Sequence, residues 1–265
     1  MRQRLSDSLI GLYEHTVRSG ALDRPRARRG FEALYLLYKR TLEAGPIGGL
    51  QSLVGPGTTV IDVGANIGFF TVPFARWTGV NGRVIAIEPE ARNVASLERR
   101  IAHAGLGTVV ELVCAAAAER TGELRLAVTP AHPGDHHLAE SGVPIVAVTL
   151  DQLVAGDTRT TSLVKIDVQG AEALVLAGAR DLIARDRPAI LVEIDAPALA
   201  RMGSSPRALI ETIMTLGYEA RQLTRTGPGA LQEPESLVAR SAAGYIDVLF
   251  VAEQRVSGAG TPAPS

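Results

Sequence analysis

The sequence predicts an α/β protein built on a doubly wound, mostly parallel sheet. Three observations predict it. Short apolar runs alternate with helix-length stretches between residues 59 and 252. A glycine turn, VGANIG, follows the first apolar run, at residues 63–68. An acid, Glu88, closes the second run, and open α/β sheets gather ligands at the carboxyl ends of their strands.

The elements follow in order. Residues 4–18 and 26–43 read as amphipathic helices; in the second, Phe31, Leu34, Tyr35, Tyr38 and Leu42 recur at helical spacing. Gly45-Pro46 ends it, and Gly55-Pro56-Gly57 marks a loop into the main domain. Residues 1–50 are thus expected to be a helical extension or cap. Residues 51–255 form the main domain, and the tail 256–265, VSGAGTPAPS, is expected to be disordered. Strands are expected at 59–63, 83–87, 109–113, 163–168, 189–194, 218–223 and 245–252. Helices are expected at 68–78, 91–104, 171–184 and 206–216. Two further strand-like runs, 124–128 and 143–149, flank the polar stretch PAHPGDHHLAESG. They read as a β-hairpin inserted between the third and fourth strands, over about 119–150.

Composition bounds the function. The chain has 265 residues, 46% of them hydrophobic and only 4% aromatic, so a large core must be built from Ala, Val, Leu and Ile. A net charge of -1 points to no nucleic-acid and no anionic-membrane partner. One cysteine, Cys114, permits no internal disulfide, which suits a reducing compartment. The opening residues carry charges throughout, unlike a signal peptide, and no apolar run of roughly 18 residues predicts a membrane span. A cytoplasmic protein is expected, with homo-oligomer formation left open. Lys39 and Lys165 are its only lysines.

The segment TVIDVGANIGFFT, residues 59–71, is the strongest functional signal. Gly64 and Gly68 allow a sharp turn and close approach of backbone to a ligand. No Gly-Lys-Ser/Thr triplet supports a P-loop, and Asn66 stands where a dinucleotide loop has its middle glycine. Between residues 58 and 75 there is one acid, Asp62, and no base. An acid followed by Gly64, Ala65 and Asn66 suits a ligand carrying a sulfonium and an ammonium better than a pyrophosphate. Glu88, 24 residues after Gly64, can accept hydrogen bonds from ribose hydroxyls, with Pro89 fixing the chain after it. That logic is shared with NAD enzymes.

The motifs DVGANIG (62–68), EP (88–89), VTLDQL (148–153) and VKIDVQGAE (164–172) together resemble the FkbM family of methyltransferases, over roughly residues 54–253. The family usually has Glu where Gln169 stands in the last motif. The resemblance implies a Rossmann-like class I methyltransferase sheet of seven strands in the order 3-2-1-4-5-7-6, the last strand antiparallel. It implies S-adenosyl-L-methionine as cofactor and a hydroxylated small molecule, a sugar or natural-product intermediate, as acceptor. Carried over by motif, Asp62, Gly64, Ala65, Asn66, Gly68 and Thr71 hold the methionine end. Glu88 and Pro89 serve the ribose, and Ala115 and Ala116 lie by the adenine. An acid that could read the adenine amine is no nearer than Glu119.

Methyl transfer to an alcohol needs alignment of the reacting atoms and a base for the hydroxyl proton. Asp167, at the carboxyl end of the fourth strand, is the first candidate; it could equally be a cofactor ligand or a loop cap. His136 is the second, since imidazole titrates near neutrality, against an exposed turn for His136 and His137. No metal is expected, because Asp135, His136 and His137 are neighbours that seldom converge on one ion. Lys165 and Glu193 are expected to form a cross-strand ion pair that positions Asp167. Glu172 reads as a helix N-terminal charge, Cys114 as core packing, and Tyr13, Tyr35 and Tyr38 as core, interface or a cap over the acceptor. An N-methyltransferase, an NAD-dependent oxidoreductase and an inactive nucleoside-binding module stay open as other readings.

Overall fold

Short runs dominated by Val, Ile, Leu and Ala make strands that can be buried on both faces, and those runs form the centre of the larger sheet. A computed structural model describes Gly30, residues 47–128 and residues 136–253. The two expected leading helices, Gly30 apart, with Tyr13, Tyr35 and Tyr38, as well as Asp135 and the tail expected to be disordered, lie outside the described residues.

A 3-10 helix, Ile47–Leu53, precedes β1 (Thr59–Val63), α1 (Thr71–Thr78), β2 (Arg83–Ile87), α2 (Ala91–His103) and β3 (Val110–Val113). Then come β4 (Ala116–Ala117), β5 (Gly122–Ala127), β6 (His137–Leu138), β7 (Val143–Val148) and α3 (Leu150–Leu153). β8 (Thr161–Ile166), α4 (Glu172–Ala177), α5 (Arg180–Asp186), β9 (Ala189–Ile194), α6 (Ala196–Arg201) and α7 (Pro206–Thr215) follow. The described chain closes with β10 (Tyr218–Thr224), β11 (Gly227–Leu231), α8 (Pro234–Ser241) and β12 (Ile246–Ala252).

The strands form two sheets, which corrects the expected single seven-stranded sheet with a hairpin insertion. The larger has eight strands in the order β11-β10-β12-β9-β8-β1-β2-β3. β1, β2, β3, β8 and β9 pair in parallel, while β12 is antiparallel to both β9 and β10. The unexpected edge strand is β11, whose sequence GPGAL carries neither alternation nor a β-branched residue. Proline is tolerated at an edge, and pairing to β10 supplies what propensity does not. The 3-10 helix docks on the β10–β11 turn so closely that a Cβ on Gly49 would lie 1.9 Å from the Thr224 carbonyl oxygen.

The second sheet has four strands, β4-β7-β5-β6. The expected pair is there, with Leu124 opposite Ile145. It is flanked by β6 and by β4, which pairs in parallel with β7. Two-residue strands such as Ala116–Ala117 are too short to show a period of two.

The helix expected over 171–184 is two helices broken at Gly178. A Cβ there would stand 2.0 Å from the Ala118 carbonyl oxygen. The VTLDQL motif accounts for the restart. Thr149 caps α3 by accepting from the Gln152 backbone N–H at 3.1 Å. The Asp151 carboxylate accepts from the backbone N–H groups of Asp181 at 3.2 Å and Leu182 at 2.8 Å, at the start of α5.

Alternate residues of each strand feed two separate cores. Ile61, Val63, Ile85, Ile166 and Val192 enter one layer with α4, α5 and α7. Val60, Val84, Leu163 and Leu191 enter the other with Phe74 and Leu97. Each such side chain is worth roughly 1.5–3 kcal/mol when fully buried. The sheet is therefore rigid where its carboxyl ends carry the polar residues described next.

Candidate active site

An open cleft of about 120 Å³ lies over the carboxyl ends of β1, β2, β8 and β9. The turn after β1 makes its floor. Gly64 and Gly68 have φ of 74° and 84°, and Asn66 joins them at 49°. A Cβ on Gly64 would lie 1.8 Å from the Asp167 carbonyl oxygen, so only glycine fits. The Gly64 and Ala65 N–H groups both donate to the Ile87 carbonyl at 3.0 Å. Asn66 braces its own strained turn, its Oδ1 accepting from the Ile67 N–H at 2.7 Å. These turns occupy residues up to Phe70, so α1 begins at Thr71 and not at Gly68 as the sequence suggests.

Glu88 stands at one end of the cleft. Its carboxylate accepts from the Asn66 N–H at 2.8 Å, the Glu90 N–H at 3.0 Å and the Asn93 amide at 3.3 Å. Burial pushes this carboxyl up to about 7 despite those three donors. Ile87, Pro89, Ala115 and Ala116 form an apolar wall beside it.

Asp167 lines the other end, directly after β8. It rests on Lys165, whose Nζ is 3.3 Å from Asp167 Oδ2 and 3.5 Å from Asp62 Oδ1. The same ammonium donates to the Gly64 carbonyl at 2.9 Å and the Val63 carbonyl at 3.4 Å, and lies 5.3 Å from the centre of the Phe70 ring. Burial pulls this lysine down, but the charges of Asp167, Asp62 and Glu193 outweigh it and hold its pKa above the ordinary value. Asp62 is fully buried behind the cleft, with Thr71 donating to its Oδ2 at 2.6 Å. Lys165 is therefore shared between Asp62 and Asp167, with Glu193 contributing through its charge, and is not confined to the expected pair with Glu193.

Glu193 faces the cleft beside Asp167, and Gln169 joins them. At φ 54°, Gln169 turns its amide onto Glu193 Oε1 at 3.0 Å and Asp167 Oδ1 at 3.4 Å. His136 and His137 reach the same cleft from the second sheet, with Leu126 and Leu138. Glu172 is buried, its Oε1 accepting from the Val168 and Gly170 N–H groups at 3.3 and 3.1 Å. It shapes the loop that carries Gln169, and burial raises its pKa.

The structure thus brings Gly64, Asn66, Glu88, Pro89, Ala115, Ala116, His136, Asp167 and Glu193 to one cleft. It sets Asp62, Ala65, Thr71 and Lys165, all buried, behind that lining. Cys114 is exposed, contrary to the expected core position, because β3 ends at Val113 and the chain leaves the sheet there. Glu119 is exposed too, two residues beyond β4 and outside the cleft lining. Asn93 was missed by sequence reasoning; its place in the first turn of α2, just past the EP pair, was the available signal. Among the described residues no group of three metal-binding side chains converges, and no helix is long and apolar enough to cross a membrane.

The profile described as "Methyltransferase FkbM domain" matches residues 62–220, more than half of the chain. No curated protein matches. Among solved structures, the FkbM methyltransferase from Methylobacillus flagellatus KT is 19% identical with a TM-score of 0.46. The match covers 74% of this chain and 44% of that one, so this chain spans less than half the length of that relative. The O-methyltransferase TomG from Streptomyces achromogenes, solved with SAM, is 12% identical (80% and 81% covered, TM-score 0.45). An O-methyltransferase from Bacillus cereus, solved with SAH, is 14% identical (77% of both chains covered, TM-score 0.44).

Proposed function

Given that the chain belongs to the FkbM methyltransferase family and is an S-adenosylmethionine-dependent enzyme, we propose that it methylates a hydroxyl oxygen of a small molecule, with Asp167 taking the hydroxyl proton. The observation that carries this is the polarity of the cleft: a buried carboxylate beside an apolar wall at one end, a lysine-braced carboxylate at the other.

The residues present fit the cofactor. Glu88 has three donors on a group with about four acceptor sites, so it retains capacity for a ribose hydroxyl. The wall of Ile87, Pro89, Ala115 and Ala116 offers flat apolar surface to a purine. Asp167 presents negative charge toward a cation. When bound, S-adenosylmethionine supplies a methyl carbon already activated by its sulfonium, whose bonding pair departs with sulfur.

The protein's own work is then orientation and proton removal. Asp167 accepts the hydroxyl proton as the oxygen lone pair turns to the methyl carbon. Lys165 fixes the Asp167 carboxylate from behind. Gln169 fixes it from the side. His136 is a second proton acceptor within the same cleft. The single cysteine supports a reducing compartment, the cytoplasm.

Titration calorimetry with S-adenosylhomocysteine and with NADH tests the cofactor half: heat is expected from the first and none from the second. Asp167→Asn tests the chemistry, with a loss of ~10²–10⁴-fold in turnover expected for a positioned base. Unchanged turnover would remove Asp167 from that role.

A further inference from the structure

Asn93 stands in the first turn of α2, where asparagine forms helix less readily than alanine. It is buried, and it lines the cleft. Its amide nitrogen donates to Glu88 Oε1 at 3.3 Å. The same oxygen accepts from the Glu90 N–H at 3.0 Å, and Glu90 Oε2 accepts from the Asn93 N–H at 2.7 Å. These bonds close a ring through Glu88, Glu90 and Asn93. In a capping box the third helical residue reaches back to the N–H of the cap itself. Here Glu88 takes that N–H, and the Asn93 side chain reaches past the cap to Glu88 as well. An ionised carboxylate only accepts, so the amide presents its nitrogen to it. Glu88 Oε2 accepts from the Asn66 N–H at 2.8 Å and is the oxygen with fewer donors.

We propose that Asn93 is a positioning residue for the cofactor: its amide fixes the Glu88 carboxylate for the ribose hydroxyls and favours the charged form that receives them. The inference rests on the reading above, that Glu88 holds the ribose. A hydroxyl donates best to a charged carboxylate, and a donor already in place stabilises that charge before the cofactor arrives. Burial and the charge of Glu90 oppose ionisation of Glu88, while the Asn66 and Glu90 N–H groups and the Asn93 amide support it. Among the described residues, the charged or titratable side chains on the surrounding elements include Arg92 and Arg100 of α2, the latter donating to the Ile67 carbonyl, and Cys114 after β3. His136 and His137 face the cleft from the small sheet, and Asp167 and Glu193 line its far end. All of these stay in place when Asn93 alone is replaced. Loss of a donor to a charged group moves its titration by about one pH unit or more. Without the Asn93 amide, Glu88 holds its proton to higher pH, and cofactor affinity reaches its plateau later.

The test is calorimetric affinity of the full chain for S-adenosylhomocysteine between about pH 5 and about pH 9, with circular dichroism confirming the fold. Wild-type affinity is expected to rise with pH and level off above about 7. Asn93→Ala should lower it about tenfold on the acidic side and less than about threefold on the alkaline plateau. Asn93→Asp, which keeps the shape and replaces the donor with an acceptor, should delay the plateau further, and it carries the comparison if the alanine variant does not fold. Neither substitution should move the profile in a Glu88→Gln background. An equal loss at every pH overturns the proposal, because a merely structural role would give that. A wild-type profile for Asn93→Asp, or a shift that persists in the Glu88→Gln background, overturns it too. Wild-type affinity and an unchanged profile in Glu88→Gln alone would instead overturn the reading that Glu88 holds the ribose.

Discussion

Replacing Lys165 with Met removes the cation shared by the buried Asp62 and the part-buried Asp167 while keeping the side chain's length. In the native protein Asp62 is fully buried, its Oδ2 held by Thr71 and its Oδ1 facing Lys165 Nζ at 3.5 Å. Asp167 shares the same ammonium at 3.3 Å. The variant strands the Asp62 charge in the sheet and leaves the Gly64 carbonyl without its donor. Breaking a buried ion pair from one side costs ~3–5 kcal/mol, and ~3 kcal/mol already lowers the folding equilibrium more than a hundredfold. Urea denaturation followed by circular dichroism measures it. The double variant Asp62→Asn with Lys165→Met, which removes both charges, should recover more than half of the deficit, because the stranded charge and not the lost contact dominates. A single variant destabilised by less than ~1 kcal/mol, or a double variant no better than the single, would falsify the reasoning.

Further outcomes follow from the site and its supports. The Glu88 carboxyl is raised to about 7 by burial, so the folded state holds its proton more tightly than the unfolded chain. Native stability therefore falls as pH rises from about 4.5 to about 7, and the loss is complete above that; Glu88→Gln should flatten the decline in a denaturation series, and an unaltered pH slope would rule it out. Ribose hydroxyls favour the ionised form, so S-adenosylhomocysteine binding near pH 6.5 should release protons in wild type and not in this variant, as calorimetry in buffers of different ionisation enthalpy will show. Gly64→Ala, at φ 74° with the Asp167 carbonyl in the way, should cut S-adenosylhomocysteine affinity at least tenfold. Gly79→Ala, at φ 71° and ψ -176° with nothing within 4 Å of the added carbon, should cost ~1–3 kcal/mol in backbone strain and leave affinity intact. Asp151→Ala, which uncaps α5, should cost ~0.5–2 kcal/mol in thermal or chemical denaturation and leave cofactor affinity unchanged.

The parts of the fold legible in the sequence are those where one periodicity governs a whole element. The run TVIDV and the run AILVEI are buried over nearly their full length, and their boundaries match the structure. β11 was illegible because GPGAL has no pattern of its own and exists only through β10. The break at Gly178 was illegible because its cause is the Ala118 carbonyl, sixty residues away in sequence. In the site, the floor and the Glu88 end followed from spacing alone, since a strand, a glycine turn and a terminal acid lie within one local unit. The partners of Lys165 did not. Alternation along β8 places Lys165 and Asp167 on one side, but the match of Lys165 to Asp62 depends on the parallel register with β1. Gln169 stood out only as a departure from a motif. That it bridges two carboxylates depends on its positive φ, a conformation that a glutamine in the sequence does not announce.

The residues that roof the cleft, Leu126, His136, His137 and Leu138, belong to the small sheet, while the acids beneath them belong to the ends of the large one. Among the described residues no strand pairing joins the two sheets, so the roof and the reactive floor are separate modules of the chain. Exchanging the stretch between β4 and α3 for that of a related enzyme should therefore reshape which molecules enter without resetting the carboxylates that act on them. Diversity of acceptor and constancy of chemistry could then be inherited independently within one scaffold.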